Sequence, residues 1–193
     1  MEFPIYELQI NEEQKDDAEV SFVALVDAPA IKRNFLAFKE NLKFKVLSES
    51  DHVIVGPLMV PNQLIYRASD KFGEHYVKFS AETIKAIAIK FAKKGYQNNV
   101  NEMHDLKKQV KGVTMFGAFI TNSKWGVKPV EAFSDLPDGT WFGIYKVENE
   151  EVWNKIVSGE FQGFSVEGLF DYVEPENKDE AMLAKLSAIL NSL

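Results

Sequence analysis

The 193-residue sequence contains no cysteine. Disulfides, thiolate nucleophiles and cysteine-based zinc sites are therefore all excluded, and any covalent catalysis must use an oxygen or nitrogen nucleophile. The absence also fits an intracellular, reducing environment. Histidine is scarce as well: the three histidines are scattered, with no His-x-x-x-His spacing and no acidic cluster at ligand spacing, so we expect no metal site.

Basic residues are in deficit. The chain has 22 Lys and Arg against 29 Asp and Glu, and the net charge of -7 disfavours a nucleic-acid-binding surface, which needs clustered cations. No apolar run approaches the roughly 18 to 20 residues that span a bilayer, and the N-terminus lacks the basic and apolar segments of a signal peptide. These absences predict a soluble protein with neither nucleic acid nor membrane as a partner.

Hydrophobic residues make up 46% of the chain and charged residues 26%, which suits one compact domain with a buried core. Most apolar residues fall in short runs, several of them alternating with polar residues, and this pattern is typical of strands. The pair Gly56-Pro57 predicts a bend or bulge in one of them. The predicted strands cover residues 3–10, 20–26, 35–38, 43–47, 52–60, 64–67, 76–79, 100–106, 113–120, 141–147 and 161–173.

Two helices are predicted within this β-rich chain. The first follows Ser80, a typical N-cap residue, and ends at Gly95, with apolar residues at helical spacing and lysines in its last turn. The second covers residues 150–157, with Asn149 as its N-cap and Gly159 beyond its end. Helices inserted among many strands indicate the α+β class.

The C-terminal segment has the pattern of an amphipathic helix, with apolar residues recurring on one side over residues 177–193. Such a helix packs on its own domain or docks a partner. We therefore expect one domain over residues 1–175, followed by a C-terminal helix over residues 176–193.

Ser165 lies on a short apolar predicted strand, downstream of His104. A serine hydroxyl is a poor nucleophile near neutral pH, so it needs a base within hydrogen-bond reach, and a neutral histidine has a suitable proton affinity. His52 and His75 lie in segments without catalytic-type neighbours, which leaves His104 as the candidate base. The pair predicts chemistry by acyl transfer.

Four segments of the second half resemble a known family. In chain order they are Asn-Glu-Met-His-Asp at residues 101–105, Gly-Thr-Trp-Phe-Gly-Ile-Tyr-Lys-Val at residues 139–147, the acidic helix with Trp153, and Gly-Glu-Phe-Gln-Gly-Phe-Ser-Val-Glu-Gly at residues 159–168. This order resembles the core of the prohead (capsid maturation) serine proteases of tailed phages, most closely the XkdF-like branch, whose wider relatives include the herpesvirus assemblins. The resemblance covers about residues 45–175, is most specific over residues 141–168, and is faint before residue 40.

The resemblance implies a small, mostly antiparallel, β-barrel-like sheet flanked by helices. By similarity, His104 is the general base and Ser165 the nucleophile of a serine endopeptidase, and no cofactor or metal is implied. Substrates of the family are the scaffolding protein or the scaffold segment of the major capsid protein, cut inside the immature shell, often with self-cleavage. We therefore expect these two proteins as partners, the prohead in the host cytoplasm as location, and a homo-oligomer as a further option.

A third catalytic residue would be an acid that accepts from the imidazole nitrogen facing away from the serine. Alternation along a strand puts Glu167 on the face of Ser165, and Glu102 on the face of His104. In the viral relatives the third residue follows the serine, which favours Glu167 or Asp171. A Ser-His dyad without an acid is the remaining alternative.

Gly163 and Gly168 flank the serine and have two interpretations. They allow close approach of an extended substrate and leave amide donors for an oxyanion, or they are bulge and strand-end glycines.

A rival function is a non-enzymatic capsid assembly or scaffold-associated protein that retains the protease fold. The acidic composition and the predicted C-terminal helix favour it, because such a helix can bind a partner. A hydrolase of small esters is a third option.

Overall fold

The computed structural model describes residues 3–10, 19–27 and 43–173. The predicted strand at residues 35–38 and the predicted helix at residues 176–193 lie outside these ranges. The described part contains twelve strands, two α-helices and three single-turn 3-10 helices. Its strands and α-helices are β1 (Ile5–Gln9), β2 (Glu19–Val26), β3 (Lys45–Ser48), β4 (Val53–Met59), β5 (Ile65–Ser69), β6 (Gly73–Lys78), α1 (Ala81–Lys94), β7 (Val100–Glu102), β8 (Asp105–Gln109), β9 (Val113–Ile120), β10 (Trp141–Val147), α2 (Glu150–Val157), β11 (Gly163–Leu169) and β12 (Asp171–Val173).

The strands form three sheets of four, in the orders β12-β1-β6-β5, β3-β4-β10-β9 and β11-β2-β7-β8. Within the described residues, seven of the nine strand pairings are antiparallel; the exceptions are the β1 to β6 and β2 to β7 pairs. The α+β class and the mostly antiparallel pairing therefore agree with the sequence prediction. The barrel-like closure was wrong, because none of the three sheets closes on itself in the part of the chain that is described.

Helix α1 begins and ends where the sequence predicts. The Ser80 hydroxyl accepts a hydrogen bond from the Thr83 amide, and Gly95 adopts the left-handed conformation at the C-cap. Ile84 and Ile87 are fully buried, so one face of the helix joins the core. Burial of each such side chain stabilises the fold by about 1.5–3 kcal/mol. Neither of the described α-helices is long and apolar enough to cross a membrane.

The predicted irregularity at Gly56-Pro57 is present in β4. The pairing of β4 with β10 shifts by one residue after Pro57, which leaves Leu58 as an extra residue, as in a bulge. A Cβ on Gly56 would lie 3.0 Å from the Phe164 ring, so the glycine lets that ring pack directly over β4. This contact between side chain and backbone holds β11 against the neighbouring sheet.

Candidate active site

Ser165 lies in the middle of β11 and is 6% exposed. The strand pairing places it opposite Ala24 of β2, and Ala24 opposite Asn101 of β7. Side chains of directly paired residues lie on the same face of a sheet, so these three residues form a row across one face. Glu167 lies two residues beyond the serine on β11 and shares that face.

The sequence predicts one strand over residues 100–106 that includes His104, but in the structure His104 does not lie on a strand. Met103 and His104 instead form the two-residue turn between β7 and β8, with φ angles of 53° and 60°. Turns with two positive φ angles favour Asn and Gly, and the Met-His pair contains neither. The sequence pattern therefore predicts one continuous strand here. The left-handed conformation costs non-glycine residues roughly 1–2 kcal/mol each.

The strained turn is fastened to the sheet that holds Ser165. The Met103 amide donates a hydrogen bond to the Leu25 carbonyl of β2 at 3.0 Å, and the Asp27 amide lies 3.4 Å from the Met103 sulfur. Strained backbone that its surroundings hold in place is concentrated at functional sites. The turn therefore presents His104 as a fixed feature of the sheet.

Glu102 is not on the face of His104, contrary to the alternation argument. Its Oε1 forms an ion pair with Lys155 Nζ at 3.2 Å, and Lys155 Nζ also pairs with Glu151 Oε1 at 3.2 Å. Hydrogen bonds that Lys155 donates to the Glu102 and Glu151 carboxylates raise the pKa of Lys155. Glu102 thus ties β7 to α2 and is not available to the imidazole.

Glu167 is the acid beside the imidazole. Its Oε2 lies 3.5 Å from His104 Nδ1 and also accepts a hydrogen bond from Asn101 Nδ2 at 2.9 Å. Because the acid lies beside Nδ1, the Nε2 nitrogen is left to face another group. Asp171, the other acid that the sequence favoured, is exposed and pairs with Gln9 in a different sheet.

Asn101 is a site residue that sequence reasoning missed. It is fully buried, and its Oδ1 has no hydrogen-bond partner among the described residues. Leaving a buried carbonyl unsatisfied costs about 1–3 kcal/mol, so the position calls for a functional explanation. The available signal was a polar asparagine in a predicted strand, three residues before the candidate histidine.

Gly168 sets the direction of the chain after Glu167. The pairing of β11 with β2 shifts between Glu167 and Gly168, where Ser21 of β2 is an extra residue. A Cβ on Gly168 would lie 2.0 Å from the Glu19 carbonyl oxygen, so no side chain fits there. Gly168 is therefore a bulge glycine, which is one of the two interpretations that the sequence allows. Gly163 is the first residue of β11 and lies opposite Val26.

Ser165, His104 and Glu167 line one cavity of about 590 Å³. Its lining also includes residues 57–60 at the end of β4, residues 164–170, and apolar side chains from β1 and β5. A volume of this size lies within the roughly 300–1,000 Å³ typical of ligand sites. The structure therefore brings the three predicted site residues to one mostly apolar cavity.

Two strands that line this cavity, β4 and β11, have unpaired edges in the part of the chain that the structure describes. Within the described residues, β11 pairs with β2 alone, and residues 57–59 of β4 pair with β10 alone. Unpaired strand edges offer backbone donors and acceptors to an extended peptide.

The other two histidines have structural contacts. His75 is fully buried, with Nδ1 at 2.9 Å from the Gly73 carbonyl and Nε2 at 3.2 Å from the Tyr172 hydroxyl. His52 stacks on Trp153 with ring centroids 4.3 Å apart. Among the described residues, no group of three or more His, Asp or Glu is arranged to hold a metal ion.

A family model described as "Putative phage serine protease XkdF" matches residues 44–174. The match includes the turn with His104 and the strand with Ser165. It is a match to a phage family, and a relation to the herpesvirus assemblins is not shown. No curated protein and no solved structure matches the chain.

Proposed function

The chain belongs to the XkdF family of phage serine proteases, and on that premise we propose that it is a serine endopeptidase. In this proposal Ser165 is the nucleophile, His104 is the general base, and Glu167 is the acid that orients the base. The observation that carries this assignment is the Glu167 carboxylate at 3.5 Å from His104 Nδ1, in a cavity that Ser165 also lines. In the Ser-His-acid arrangement of serine proteases the acid contacts this nitrogen, and Nε2 serves the serine.

In the proposed reaction, Ser165 Oγ attacks the scissile carbonyl carbon while its proton passes to His104 Nε2. The C–N bond then breaks, the nitrogen leaves with the proton from Nε2, and an ester of Ser165 remains. A water molecule, deprotonated by the same imidazole, hydrolyses the ester and restores the serine hydroxyl. No cofactor enters the reaction.

Glu167 fixes the orientation of the imidazole and stabilises the imidazolium that forms during the attack. Asn101 acts on Glu167: its amide donates to the carboxylate at 2.9 Å from a fully buried position. A hydrogen bond to a charged group is stronger than one between neutral groups. We assign Asn101 as a positioning residue, because it acts on the base through the acid.

The surroundings support acyl transfer on a peptide. Ser165 is nearly buried and most of the cavity lining is apolar, so a bound substrate would displace water and strengthen the electrostatic interactions of the site. The unpaired edges of β4 and β11 suit a substrate in extended conformation, held by backbone hydrogen bonds.

The biological role in the proposal is capsid maturation. Membership of a phage protease family supports a substrate such as the scaffolding protein or the scaffold segment of the major capsid protein, cut inside the prohead in the host cytoplasm. Self-processing and a homo-oligomeric form belong to the same proposal.

Co-expression with the phage scaffolding protein tests the function. Ser165→Ala should abolish cleavage while leaving the fold intact, and Ser134→Ala, which removes an exposed hydroxyl elsewhere, should cleave like the wild type. Unchanged processing by Ser165→Ala would remove the enzymatic assignment and favour the assembly protein that retains the fold.

A further inference from the structure

Among the described residues that line the cavity beside Ser165, one side chain is permanently cationic. Of the described residues that line it, most are apolar, and the charged or titratable ones are Arg67, His104 and Glu167, besides the Tyr172 hydroxyl. His104 and Glu167 lie at ion-pair distance from each other. The proposed chemistry uses Ser165, His104 and Glu167, and it leaves Arg67 without a role.

Arg67 reaches the cavity from another sheet. It lies on β5, opposite His75 of β6, and shares its strand face with Ile65, which also lines the cavity. Strand β5 is at the edge of the sheet with order β12-β1-β6-β5, whereas Ser165 belongs to the sheet that contains β2. A peptide in the cavity would therefore meet the catalytic residues on one wall and Arg67 on a different one.

Among the described residues, no acid neutralises the Arg67 guanidinium. Its Nη1 donates to the Tyr66 carbonyl at 3.0 Å, and no carboxylate of the described residues lies within salt-bridge distance. A guanidinium has five N–H donors in a planar fork, so most of its donors remain for a ligand. Neighbouring protein atoms partly desolvate the guanidinium and lower the pKa of Arg67, and the nearby Tyr172 raises it in part, but the residue is exposed to solvent in the open cavity.

We infer that Arg67 forms a subsite for an acidic side chain of the substrate, so that the preferred peptide combines apolar residues with an Asp or Glu close to the scissile bond. The inference rests on the proposed function, because it takes the cavity as the peptide-binding site. A planar carboxylate matches the guanidinium fork and would pair with it in two parallel hydrogen bonds.

Charge complementarity makes this subsite selective. The protein carries a net charge of -7, so its overall field repels an acidic peptide. Discrimination in favour of an acid must then come from a local cation. In the described lining of this cavity, Arg67 is the side chain that stays positively charged. An amide in place of the carboxylate would lose the charge-assisted pair and leave the apolar contacts unchanged.

The test separates binding from cleavage. The full-length Ser165→Ala protein is immobilised and incubated with a pool of random peptides blocked at both ends, and the retained peptides are sequenced by mass spectrometry. The same pool is offered to Ser165→Ala proteins that also carry Arg67→Met, Arg67→Glu or Lys71→Met. Lys71→Met is the matched control, because it removes one positive charge from the exposed turn that follows β5.

Retained peptides should be enriched in Asp and Glu at one position relative to their apolar residues, by about tenfold or more, as expected for a charge-assisted hydrogen bond. Arg67→Met should abolish this enrichment, Arg67→Glu should replace it with Lys and Arg, and Lys71→Met should leave it unchanged. No acidic enrichment, or enrichment that survives Arg67→Met, overturns the inference.

Cleavage of the same pool by the protein with Ser165 intact reports separately on the proposed function. Cleavage without an acidic preference would retain the protease and reject the subsite. Acidic enrichment by the Ser165→Ala protein without cleavage by the wild type would retain the subsite as a peptide-binding site and reject the protease.

Discussion

Gly168 and Glu19 pack backbone against backbone, so that a Cβ on Gly168 would lie 2.0 Å from the Glu19 carbonyl oxygen. This contact lies directly after Glu167, at the bulge between β11 and β2. The position of the proposed catalytic acid therefore depends on a glycine that has no catalytic group of its own.

Replacing Gly168 with alanine should lower both stability and activity. Overpacking against a backbone carbonyl costs about 1–3 kcal/mol or more, and the strand shift that relieves it would move Glu167 away from His104. Thermal unfolding and peptide cleavage measure the two effects. Gly73→Ala is the control, because Gly73 has a positive φ but open space around it, so it should lose stability and keep its activity.

Glu167→Gln should lower kcat by about 10²–10⁴-fold, since an amide cannot stabilise the imidazolium as a carboxylate does. Asp171→Asn should leave kcat within a few-fold of the wild type, because Asp171 lies on another sheet and is exposed. Steady-state kinetics on one peptide measures both variants. The reverse ranking would transfer the role of the acid to Asp171, and two active variants would leave a Ser-His dyad.

Asn101→Asp should alter the pH dependence of kcat as well as its size. A second carboxylate beside Glu167 repels it and raises the pKa of one member of the pair. The acid must be ionised to act, so the acidic limb of the profile should move to higher pH, and activity should fall earlier as the pH is lowered.

Asn101→Ala removes the donor without adding charge, and about a tenfold loss of kcat is expected from the missing hydrogen bond. A profile for Asn101→Asp that overlays the wild type, measured with both variants folded, would show that Asn101 has no influence on the acid.

Glu19 should make stability depend on pH. Burial raises the pKa of Glu19, but hydrogen bonds from Lys94 and Tyr96 outweigh it and hold the pKa below its ordinary value of 4.5. A depressed carboxyl pKa contributes stability that is present above the ordinary value and is lost as the pH falls through the folded-state value.

Glu19→Gln should therefore be less stable than the wild type at neutral pH, with a difference that shrinks below pH 4.5. Thermal melts of the two proteins across this range measure it. A difference that stays constant with pH would show that the ionised carboxylate does not contribute.

Local signals in the sequence predicted much of the fold. Ser80 and Gly95 delimit α1 because capping chemistry is carried by the end residues themselves. The strand that bears Ser165 is present as β11, but the single strand predicted over residues 161–173 is wrong in its second part, because the chain breaks at Phe170 and continues as β12 in another sheet. The family inferred from four sequence segments is confirmed by the match over residues 44–174.

The errors arose where structure depends on partners distant in sequence. The Met103-His104 turn has no turn-forming residue, and its conformation is held by contacts with β2, so alternation alone favoured one continuous strand. Barrel closure was implied by the family resemblance; it requires hydrogen bonding between edge strands, which the four resembling segments do not determine. Asn101 was missed for the same reason, since its role depends on an acid 66 residues away.

The proposed mechanism requires that His104 activates Ser165. A fluorophosphonate forms a covalent adduct with an activated serine, so its reaction with the protein reports on this activation. The full-length protein should yield one adduct, on Ser165 and not on Ser134, when its peptides are mapped by mass spectrometry. The same protein with His104→Ala should react slowly or not at all while retaining its fold. A Ser165 that stays unlabelled, or that is labelled at the same rate without His104, would rule out activation of Ser165 by His104.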